Sequence, residues 1–367
     1  PQAPRQQALP HQTQRGGKAR EYLPGIALGT YESKRVITDR TGRVVAQAAR
    51  PHGLDLPRPG WAEHDADGVW WADFCYLSRE LLARSGMNPG QIAGVACSAI
   101  GPCMLPVDRE GRPLRPAILY GIDTRAQAEI TELNERLGSE AIRERCGSYL
   151  SSQAVGPKIL WFRKNEPELY ARTHKIMTAQ SYLVMRLTGR VLIVYYSAAS
   201  FHPLLDLKRL TWDEEYAREI CPLEMLPELD WSARPAGQVT PEAARETGLL
   251  AGTPVTLGTI DAAAEAVSCG VVGTGDLMLM YGTTLFFIHV TERFTPTAQL
   301  WPLVYLEPDT WAQAAGMATT GALTRWFRDQ LAPDAVLAEQ QGGENAYAAL
   351  ARLAAASPPG SRGLITL

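Results

Sequence analysis

The sequence predicts an α/β protein built from two related domains with a cleft between them. Three short runs rich in β-branched residues follow one another after Tyr22, and helical periodicity begins near residue 66. A strand–glycine turn–strand unit near residues 24–38 returns near residues 275–290. Because a unit repeated in both halves of a chain indicates two domains of similar construction, we place the boundary near residue 255.

The N-terminal strands form a predicted antiparallel meander. Its members are LPGIALGT, SKRVITD and TGRVVAQAAR, and a tight turn at residues 39–42 joins the second to the third. In the segment ADGVWWADFCYLSRELLARS that follows, Trp70, Phe74, Leu77 and Leu81 recur at the spacing of a helix. The apolar segment IAGVACSAI is then predicted as a strand.

The later elements continue to alternate between helix and strand. Helices are predicted over residues 124–137, from Lys158 to Leu187, in LTWDEEYAREIC and in PEAARETG, and a strand is predicted in VLIVYY. The segment PVTLGTIDAAAEAVSCGVV begins as a strand and turns helical after Asp261. The segment GDLMLMYGTTLFFIHV is predicted as a second β-hairpin with Gly-Thr-Thr at its centre.

Charge and composition argue against several classes of protein. The chain has 36 Lys and Arg against 39 Asp and Glu, a net charge of −3, so we expect no nucleic-acid partner. The longest apolar stretch, residues 277–290, is too short and too polar to span a membrane. Six cysteines without a Cys-x-x-Cys pair or zinc spacing favour reduced thiols, a cytoplasmic location and no metal ligands from these residues.

The two ends of the sequence differ from its middle. Residues 1–21 are rich in Pro and Gln and basic, which predicts a disordered tail before a first domain at residues 22–255. The last segment, SPPGSRGLITL, is a turn followed by an apolar run. We therefore expect the second domain, residues 256–367, to be incomplete, and a fragment of a longer protein is one interpretation of the chain.

Two glycine turns are candidate phosphate-binding loops. Gly29 and Thr30 lie between the first two strands, and Gly282, Thr283 and Thr284 lie between strands of the second half. Glycine lets the backbone approach a ligand, and hydroxyl and N–H groups can surround phosphate oxygens. Each pattern alone is typical of an ordinary turn, but the pair in equivalent places is more specific.

Charged residues at the ends of strands form a second group of candidates. Asp261 ends an apolar strand where a helix begins, so it is either a helix N-cap or a catalytic base facing a cleft. Tyr120, Asp123 and Arg125 follow another strand. They could hold a polyol, or Asp123 and Arg125 could form an ion pair that caps a helix.

Several motifs in fixed order make the sequence resemble the FGGY family of carbohydrate kinases. They are GIALGTYESK, RPGWAEHD, GRPLRPAILYGIDTRA, NEPELYARTHKIMTAQSYLVMRLTG, PVTLGTIDAAAEAVSCGVVGTGDLMLMYGTT and GALTRWFRD. The resemblance runs from about Tyr22 to Leu367. It implies an actin-like, ribonuclease H-like fold of two domains, with ATP and Mg²⁺ in the cleft and a sugar or polyol deeper, mainly on the first domain.

The resemblance also implies roles for individual residues. Asp261 matches the catalytic base, which takes the proton from the sugar hydroxyl. The phosphate-binding residues implied are Gly29, Thr30, Lys34, Gly282, Thr283 and Thr284. The substrate-binding residues implied are Ser98, Ile100, Gly101, Tyr120, Asp123 and Arg125. The segment from Ser98 to Pro102 matches neither the xylulokinase nor the glycerol kinase motif, so the sequence assigns neither sugar.

Departures from the family pattern leave an alternative open. Ala27 stands where the family has an acidic residue that helps to hold hydrated Mg²⁺, and an expected Asp is missing near Val194 or Tyr195. Arg35 follows Lys34 where a small residue is usual. The sequence therefore predicts ATP-dependent phosphorylation of a sugar or polyol, with a catalytically impaired sugar-binding or regulatory protein as the alternative. A homodimer is compatible with the family.

Overall fold

A computed structural model describes residues 21–282, 284–317 and 319–364. Residues 1–20 of the predicted tail and Thr283 of the second glycine turn lie outside the described residues. Within the described ranges, none of the helices is long and apolar enough to cross a membrane.

Strands are numbered in chain order. They are β1 (Tyr22–Leu28), β2 (Glu32–Asp39), β3 (Val44–Pro51), β4 (Glu63–His64), β5 (Ala96–Ala99), β6 (Leu105–Val107), β7 (Ala117–Ile118), β8 (Lys175–Met177), β9 (Leu192–Val194), β10 (Leu205–Asp206), β11 (Thr211–Trp212), β12 (Glu228–Asp230), β13 (Pro235–Gln238), β14 (Pro254–Thr256), β15 (Thr259–Ile260), β16 (Leu277–Tyr281), β17 (Leu285–Thr291), β18 (Trp301–Val304) and β19 (Trp311–Met317).

The α-helices are numbered in the same way. They are α1 (Ala72–Ser85), α2 (Gln127–Leu137), α3 (Ser139–Cys146), α4 (Val155–Asn165), α5 (Pro167–Arg172), α6 (Ala179–Thr188), α7 (Tyr195–Ala198), α8 (Glu214–Ile220), α9 (Pro241–Thr247), α10 (Asp261–Ser268), α11 (Gly321–Leu331), α12 (Pro333–Gln340) and α13 (Ala346–Ala355). A π-helical turn, Ala66–Trp71, precedes α1, and Asp65 caps it by accepting from two backbone N–H groups.

The first sheet has five strands in the order β15-β5-β1-β2-β3. The pairs β1–β2 and β2–β3 are antiparallel, which confirms the predicted meander, and β5 pairs parallel with both β1 and β15. Since parallel neighbours end at the same edge, the residues after Leu28, Ala99 and Ile260 lie along one edge of the sheet. The strand β15 lies beyond the predicted boundary near residue 255 and joins this first sheet.

The second sheet has four antiparallel strands in the order β16-β17-β19-β18. Its first pair, β16 and β17, is the hairpin predicted around Gly282. Strand β17 packs two side chains, Ile288 and Val290, into the same hydrophobic core as the first sheet. The second sheet is thus joined to the first domain by shared packing.

Helix α1 confirms the predicted periodicity. Phe74, Leu77 and Leu81 are fully buried, as is Trp70 in the preceding turn. The helix stops at Gly86, which adopts the left-handed conformation that favours glycine (φ 62°). The buried stripe packs this helix beneath the meander of the first sheet.

The long helix predicted from Lys158 to Leu187 is wrong. The structure divides this stretch into α4, α5, β8 and α6. Pro167 begins α5 because proline is tolerated in the first turn of a helix and disrupts the interior. Ile176 and Met177 are buried by pairing of β8 with β6, so tertiary contacts override the helical periodicity at that point.

Two other predicted helices are shorter in the structure than in the sequence analysis. The helix expected from residue 124 begins at Gln127, because the chain before it forms a buried ion-pair cluster described below. The helix expected in LTWDEEYAREIC begins at Glu214, capped by the Asp213 carboxylate, while Thr211 and Trp212 form β11.

Candidate active site

Asp261 is the first residue of α10, directly after β15. Its Oδ1 accepts a hydrogen bond from the N–H of Ala262 at 2.8 Å, so the carboxylate interacts with the amino end of its own helix. Burial, together with a smaller effect of the nearby Glu265 charge, raises the pKa of Asp261 to about 7. The group can therefore exchange a proton close to neutral pH.

Two cavities meet at Asp261. The smaller, of about 150 Å³, lies between the end of the first sheet and the second sheet. The larger, of about 740 Å³, lies against the first sheet and α10. Asp261 lines both, so its carboxylate stands between two spaces that ligands can enter.

The smaller cavity has a polar side and an apolar side. Its polar residues come from the first domain, and those besides Asp261 are Ser148, Tyr149, Ser151, Gln153, Tyr196, Ser200 and His202. Its apolar wall includes Phe286 and Trp301 of the second sheet. Hydroxyl groups facing aromatic surface suit a ligand with alternating C–H and O–H groups.

His202 lines this cavity and was not identified from the sequence. Its Nε2 lies 2.9 Å from the carbonyl oxygen of Cys146, so Nε2 carries the proton and donates. Burial lowers the pKa of His202 to about 4. The backbone around it is held by the start of α4, where the N–H of Gly156 donates to the His202 carbonyl at 3.1 Å.

The loop of His202 depends on a glycine. A Cβ on Gly156 would lie 2.3 Å from the carbonyl oxygen of His202, so a larger residue would push α4 and the loop apart. A glycine one residue inside a helix is the sequence signal that could have indicated a close backbone approach here. Nothing in the local sequence indicates which loop approaches it.

The predicted substrate-binding residues in and just after β5 lie partly at the cavities and partly in the core. Gly101 lines the smaller cavity and Ser98 lines the larger one, where the Ser98 Oγ is buried without a hydrogen-bond partner among the described residues. The side chain of Ile100 is only 2% exposed and packs in the core. The backbone N–H of Ile100 donates to the carbonyl of Leu28 at 2.7 Å. A role of Ile100 in substrate binding stays a prediction.

The first glycine turn connects β1 to β2 at the edge of the first sheet. The N–H of Gly29 donates to the carbonyl of Glu32 at 3.0 Å, and the Thr30 Oγ1 lies 2.9 Å from the Tyr120 hydroxyl. Lys34 extends into solvent, with its side chain 67% exposed and paired to Glu32 at 3.1 Å. The turn thus joins Thr30 to Tyr120, whereas Lys34 lies on the outer surface.

The second glycine turn is anchored to α11. The N–H of Gly282 donates to the carbonyl of Thr284 at 2.9 Å, and the Gly282 carbonyl accepts from the N–H of Gly321 at 2.9 Å. Among their described residues, neither glycine turn lines either cavity. Each stays a prediction for phosphate binding.

Asp123 and Arg125 form a closed ion pair. The Arg125 Nη2 lies 2.6 Å from the Asp123 Oδ2, and both side chains are 0% exposed. Asp123 also accepts from the N–H of Ala62, and Arg125 also contacts Glu63 and the face of Trp61. The ion pair considered in the sequence analysis therefore describes the observed arrangement, and neither side chain lines the two cavities at Asp261.

Lys158 supports the loop that carries Tyr120. Its side chain is buried, and Nζ donates to the carbonyls of Leu119 at 2.6 Å and Tyr120 at 3.0 Å. Burial lowers the pKa of Lys158 to about 8, so the ammonium keeps its charge at neutral pH. A chain of contacts thus runs from Lys158 through Tyr120 to Thr30.

We expect Lys158→Met to lower the free energy of unfolding by about 2–3 kcal/mol, because it removes two charged hydrogen bonds and leaves the buried Leu119 carbonyl without a donor, while the Tyr120 carbonyl keeps only the Asp123 N–H. Lys164→Met on the same helix is the matched control. Lys164 is 40% exposed and pairs with Glu132 at the surface and, at 3.6 Å, with the buried Glu129, so the control should cost about 1 kcal/mol and less than Lys158→Met. Urea denaturation of both variants checks this, and equal losses would contradict the supporting role of Lys158.

The carboxylates near the larger cavity are the groups that could contact a magnesium ion. Asp261, Glu265 and Glu307 line the larger cavity, yet no group of three or more potential metal ligands occurs in the described part of the chain. At the position where the family has an acidic residue, the methyl side chain of Ala27 lines the same cavity. A magnesium ion reaching this space would depend mainly on the phosphates that carry it.

The sequence matches a family model and several characterised enzymes. Residues 22–268 match the family model "FGGY family of carbohydrate kinases, N-terminal domain". The chain is 30% identical over 331 residues to glycerol kinase of Nocardia farcinica, covering 85% of this chain and 63% of that protein. It is 28% identical over 330 residues to xylulose kinase of Escherichia coli K12, covering 88% and 66%.

Solved structures confirm the predicted fold. The crystal structure of xylulose kinase from Rhodospirillum rubrum is similar with a TM-score of 0.84 at 30% identity, covering 94% of this chain and 69% of that one. The architecture is therefore that of the actin-like, ribonuclease H-like sugar kinases. The chain spans 63% of the length of the glycerol kinases that it matches. The matched N-terminal domain and the shared fold show that the chain belongs to the FGGY family of carbohydrate kinases.

Proposed function

We propose that the chain transfers the γ-phosphoryl group of ATP to a hydroxyl of a sugar or polyol, with Asp261 as general base. The observation that carries this proposal is the position of Asp261 between a small hydroxyl-lined cavity and a larger one. The relatives are named glycerol kinase and xylulose kinase, which supports a sugar or polyol as the acceptor.

In the proposed reaction the protein forms no covalent bond to the substrates, and its residues act by positioning them and by accepting a proton. Asp261 takes the proton of the acceptor hydroxyl while the oxygen of that hydroxyl forms a bond to the γ-phosphorus. The bond from the γ-phosphorus to the oxygen of the leaving ADP breaks in the same step. The pKa of about 7 matches this task, because a base that exchanges protons near the working pH is the most effective. Asp261 is then protonated, and it releases the proton to solvent after the products leave.

The surrounding residues would position the acceptor and exclude water. Ser148, Ser151 and Gln153 supply hydrogen bonds to hydroxyl groups, and Phe286 and Trp301 close the opposite side. Thr30 and its partner Tyr120 hold the first glycine turn at the edge where the strands end. Buried and hydrogen-bonded away from the cavity, Asp123 and Arg125 act in this proposal by fixing the Tyr120 loop.

The proposal is tested by ADP release in the presence of ATP, Mg²⁺ and a panel of polyols, pentuloses and hexuloses. We expect at least one acceptor to stimulate ADP release and to yield an equal amount of phosphate ester. ADP release that no acceptor stimulates, together with acceptor binding seen by calorimetry, would support the alternative of a sugar-binding protein. Ala27, which lines the larger cavity where the family has an acidic residue, is the observation that favours this alternative.

The pH dependence of turnover should follow Asp261. Because the base works only when deprotonated, kcat/KM is expected to rise with pH through about 7 and then to level off. Initial rates at constant ionic strength across the neutral range measure this. A profile that stays flat through neutrality would remove Asp261 from the role of a base with this pKa.

A further inference from the structure

The smaller cavity contains one formally charged group. Of the described residues that line it, Asp261 is the only Asp, Glu, Lys or Arg. The remaining polar residues are serines, tyrosines, a glutamine and His202. The cavity therefore offers hydrogen-bonding groups to a neutral ligand, but no cation to a ligand that carries a negative charge.

The hydrogen bonding of His202 fixes which of its nitrogens is available. The backbone carbonyl of Cys146 can only accept, so Nε2 must carry the proton that it receives. The Ser148 Oγ also lies 3.4 Å from Nε2. No described residue donates to Nδ1. In the neutral ring Nδ1 is then an unprotonated acceptor, and burial keeps the ring neutral by lowering its pKa to about 4.

We propose that the cavity selects uncharged polyols over sugar acids, and that His202 is a specificity-determining residue that accepts a hydrogen bond from a substrate hydroxyl through Nδ1. The inference rests on the proposed function, because it names the class of acceptor that the same site takes. A hydroxyl can donate to Nδ1, whereas an ionised carboxylate has no proton to donate.

The rejection of acids follows from charge as well as from hydrogen bonding. A carboxylate entering the cavity would lose water without gaining a cation, which is costly in a buried space. It would also lie in the same cavity as the ionised form of Asp261, and like charges in such a space repel. Both effects act on the ligand's charge and leave a neutral ligand of the same length unaffected.

The test is equilibrium binding to the whole chain, measured by calorimetry without nucleotide. The probes are matched pairs of equal carbon number: xylitol with xylonate and ribitol with ribonate. We expect each alditol to bind at least about tenfold more tightly than its acid. Equal binding of the two members of a pair, tighter binding of the acid, or binding of neither up to the solubility limit overturns the proposal.

The role of His202 is tested with His202→Phe and a set of monodeoxy pentitols. In the native chain one deoxy position should weaken binding by roughly fivefold, the usual effect of one lost hydrogen bond. In the variant this difference should vanish, while the preference for alditols over acids persists. A purely structural role of His202 would weaken all ligands alike and leave the deoxy difference in place, which would overturn the assignment.

A measurement on the native chain keeps the test independent of whether this variant folds. In the native protein labelled with nitrogen-15 in its histidine rings, the Nδ1 chemical shift of His202 should be that of an unprotonated nitrogen. This chemical shift should change when an alditol binds. No shift on saturation overturns the assignment. Failure of phosphoryl transfer with normal alditol binding would refute only the proposed function, whereas transfer to an acid with exclusion of its alditol would refute only this inference.

Discussion

Asp261→Asn is expected to lower kcat by roughly 10²–10⁴-fold, the usual effect of losing a general base. The amide has the shape of the carboxylate, and its oxygen can still accept the hydrogen bond from the Ala262 N–H. The fold and the binding of the acceptor should therefore survive. Stopped assays of ADP release, with calorimetry of the acceptor alone, separate the loss of the reaction step from the loss of binding.

Glu265→Gln is the matched control for this prediction. Glu265 lies one turn further along α10 and lines the larger cavity, but it does not line the smaller one. Since its charge contributes to the raised pKa of Asp261, its removal should shift the pH profile to lower pH and change the maximal rate little. If Glu265→Gln lost as much activity as Asp261→Asn, the assignment of the base would be wrong.

Asp261→Asn should also stabilise the protein against unfolding on the alkaline side of neutrality. The pKa of Asp261 is raised in the folded state, so the folded chain binds the proton more tightly than the unfolded chain. The associated stability is present below the ordinary pKa of Asp and is lost as pH rises through about 7. At ~1.36 kcal/mol per pKa unit, the ionised group costs on the order of 2–4 kcal/mol that Asn does not. Thermal unfolding should show a higher Tm for Asp261→Asn, and an unchanged Tm would argue against the raised pKa.

Local patterns in the sequence predicted the elements that local physics determines. The meander, α1 and the hairpin around Gly282 were all predicted, because alternation, helical spacing and glycine turns act over a few residues. The stretch from Lys158 to Leu187 was not, because β8 exists only through pairing with β6, far away in the sequence. A partner strand leaves no signal in the periodicity of the segment that it pairs with.

The residues of the candidate site also differ in whether the local sequence could identify them. Asp261 was identified because a carboxylate at the junction of a strand and a helix is visible locally, although the sequence left its role open. His202 and Ser148 were missed, because they reach the cavity from loops whose proximity depends on the tertiary fold. Asp123 and Arg125 show the converse: their spacing fitted both ligand binding and an ion pair. The structure shows the buried ion pair, and their binding of substrate stays a prediction.

Gly258→Ala is expected to have the largest effect on stability of any single methyl addition near the site. Gly258 precedes β15 with φ +72°, and a Cβ there would lie 1.8 Å from the carbonyl oxygen of Cys97 in β5. The backbone strain of a non-glycine residue in the left-handed region and the forced separation of β5 from β15 both lower the free energy of unfolding. We expect a loss on the order of 2–5 kcal/mol, measured by urea denaturation.

Gly252→Ala separates the two causes. Gly252 has a similar backbone conformation, φ +84°, but the nearest atom to its Cβ position is the side-chain oxygen of Gln238 at 3.9 Å. Gly252→Ala should therefore lower the free energy of unfolding only by the backbone strain, about 1–2 kcal/mol. Equal losses in the two variants would mean that β5 and β15 can move apart without cost, contrary to close packing at this point.

The position of Gly258 also connects stability to chemistry. Thr259 and Ile260 pair with Ser98 and Ala99, and this pairing carries Asp261 to the edge of the sheet. If β15 is displaced from β5, the carboxylate leaves the wall between the two cavities. Gly258→Ala should therefore reduce turnover even at temperatures where the variant is fully folded, whereas Gly252→Ala should not. Normal turnover of folded Gly258→Ala would show that the catalytic geometry does not depend on this contact.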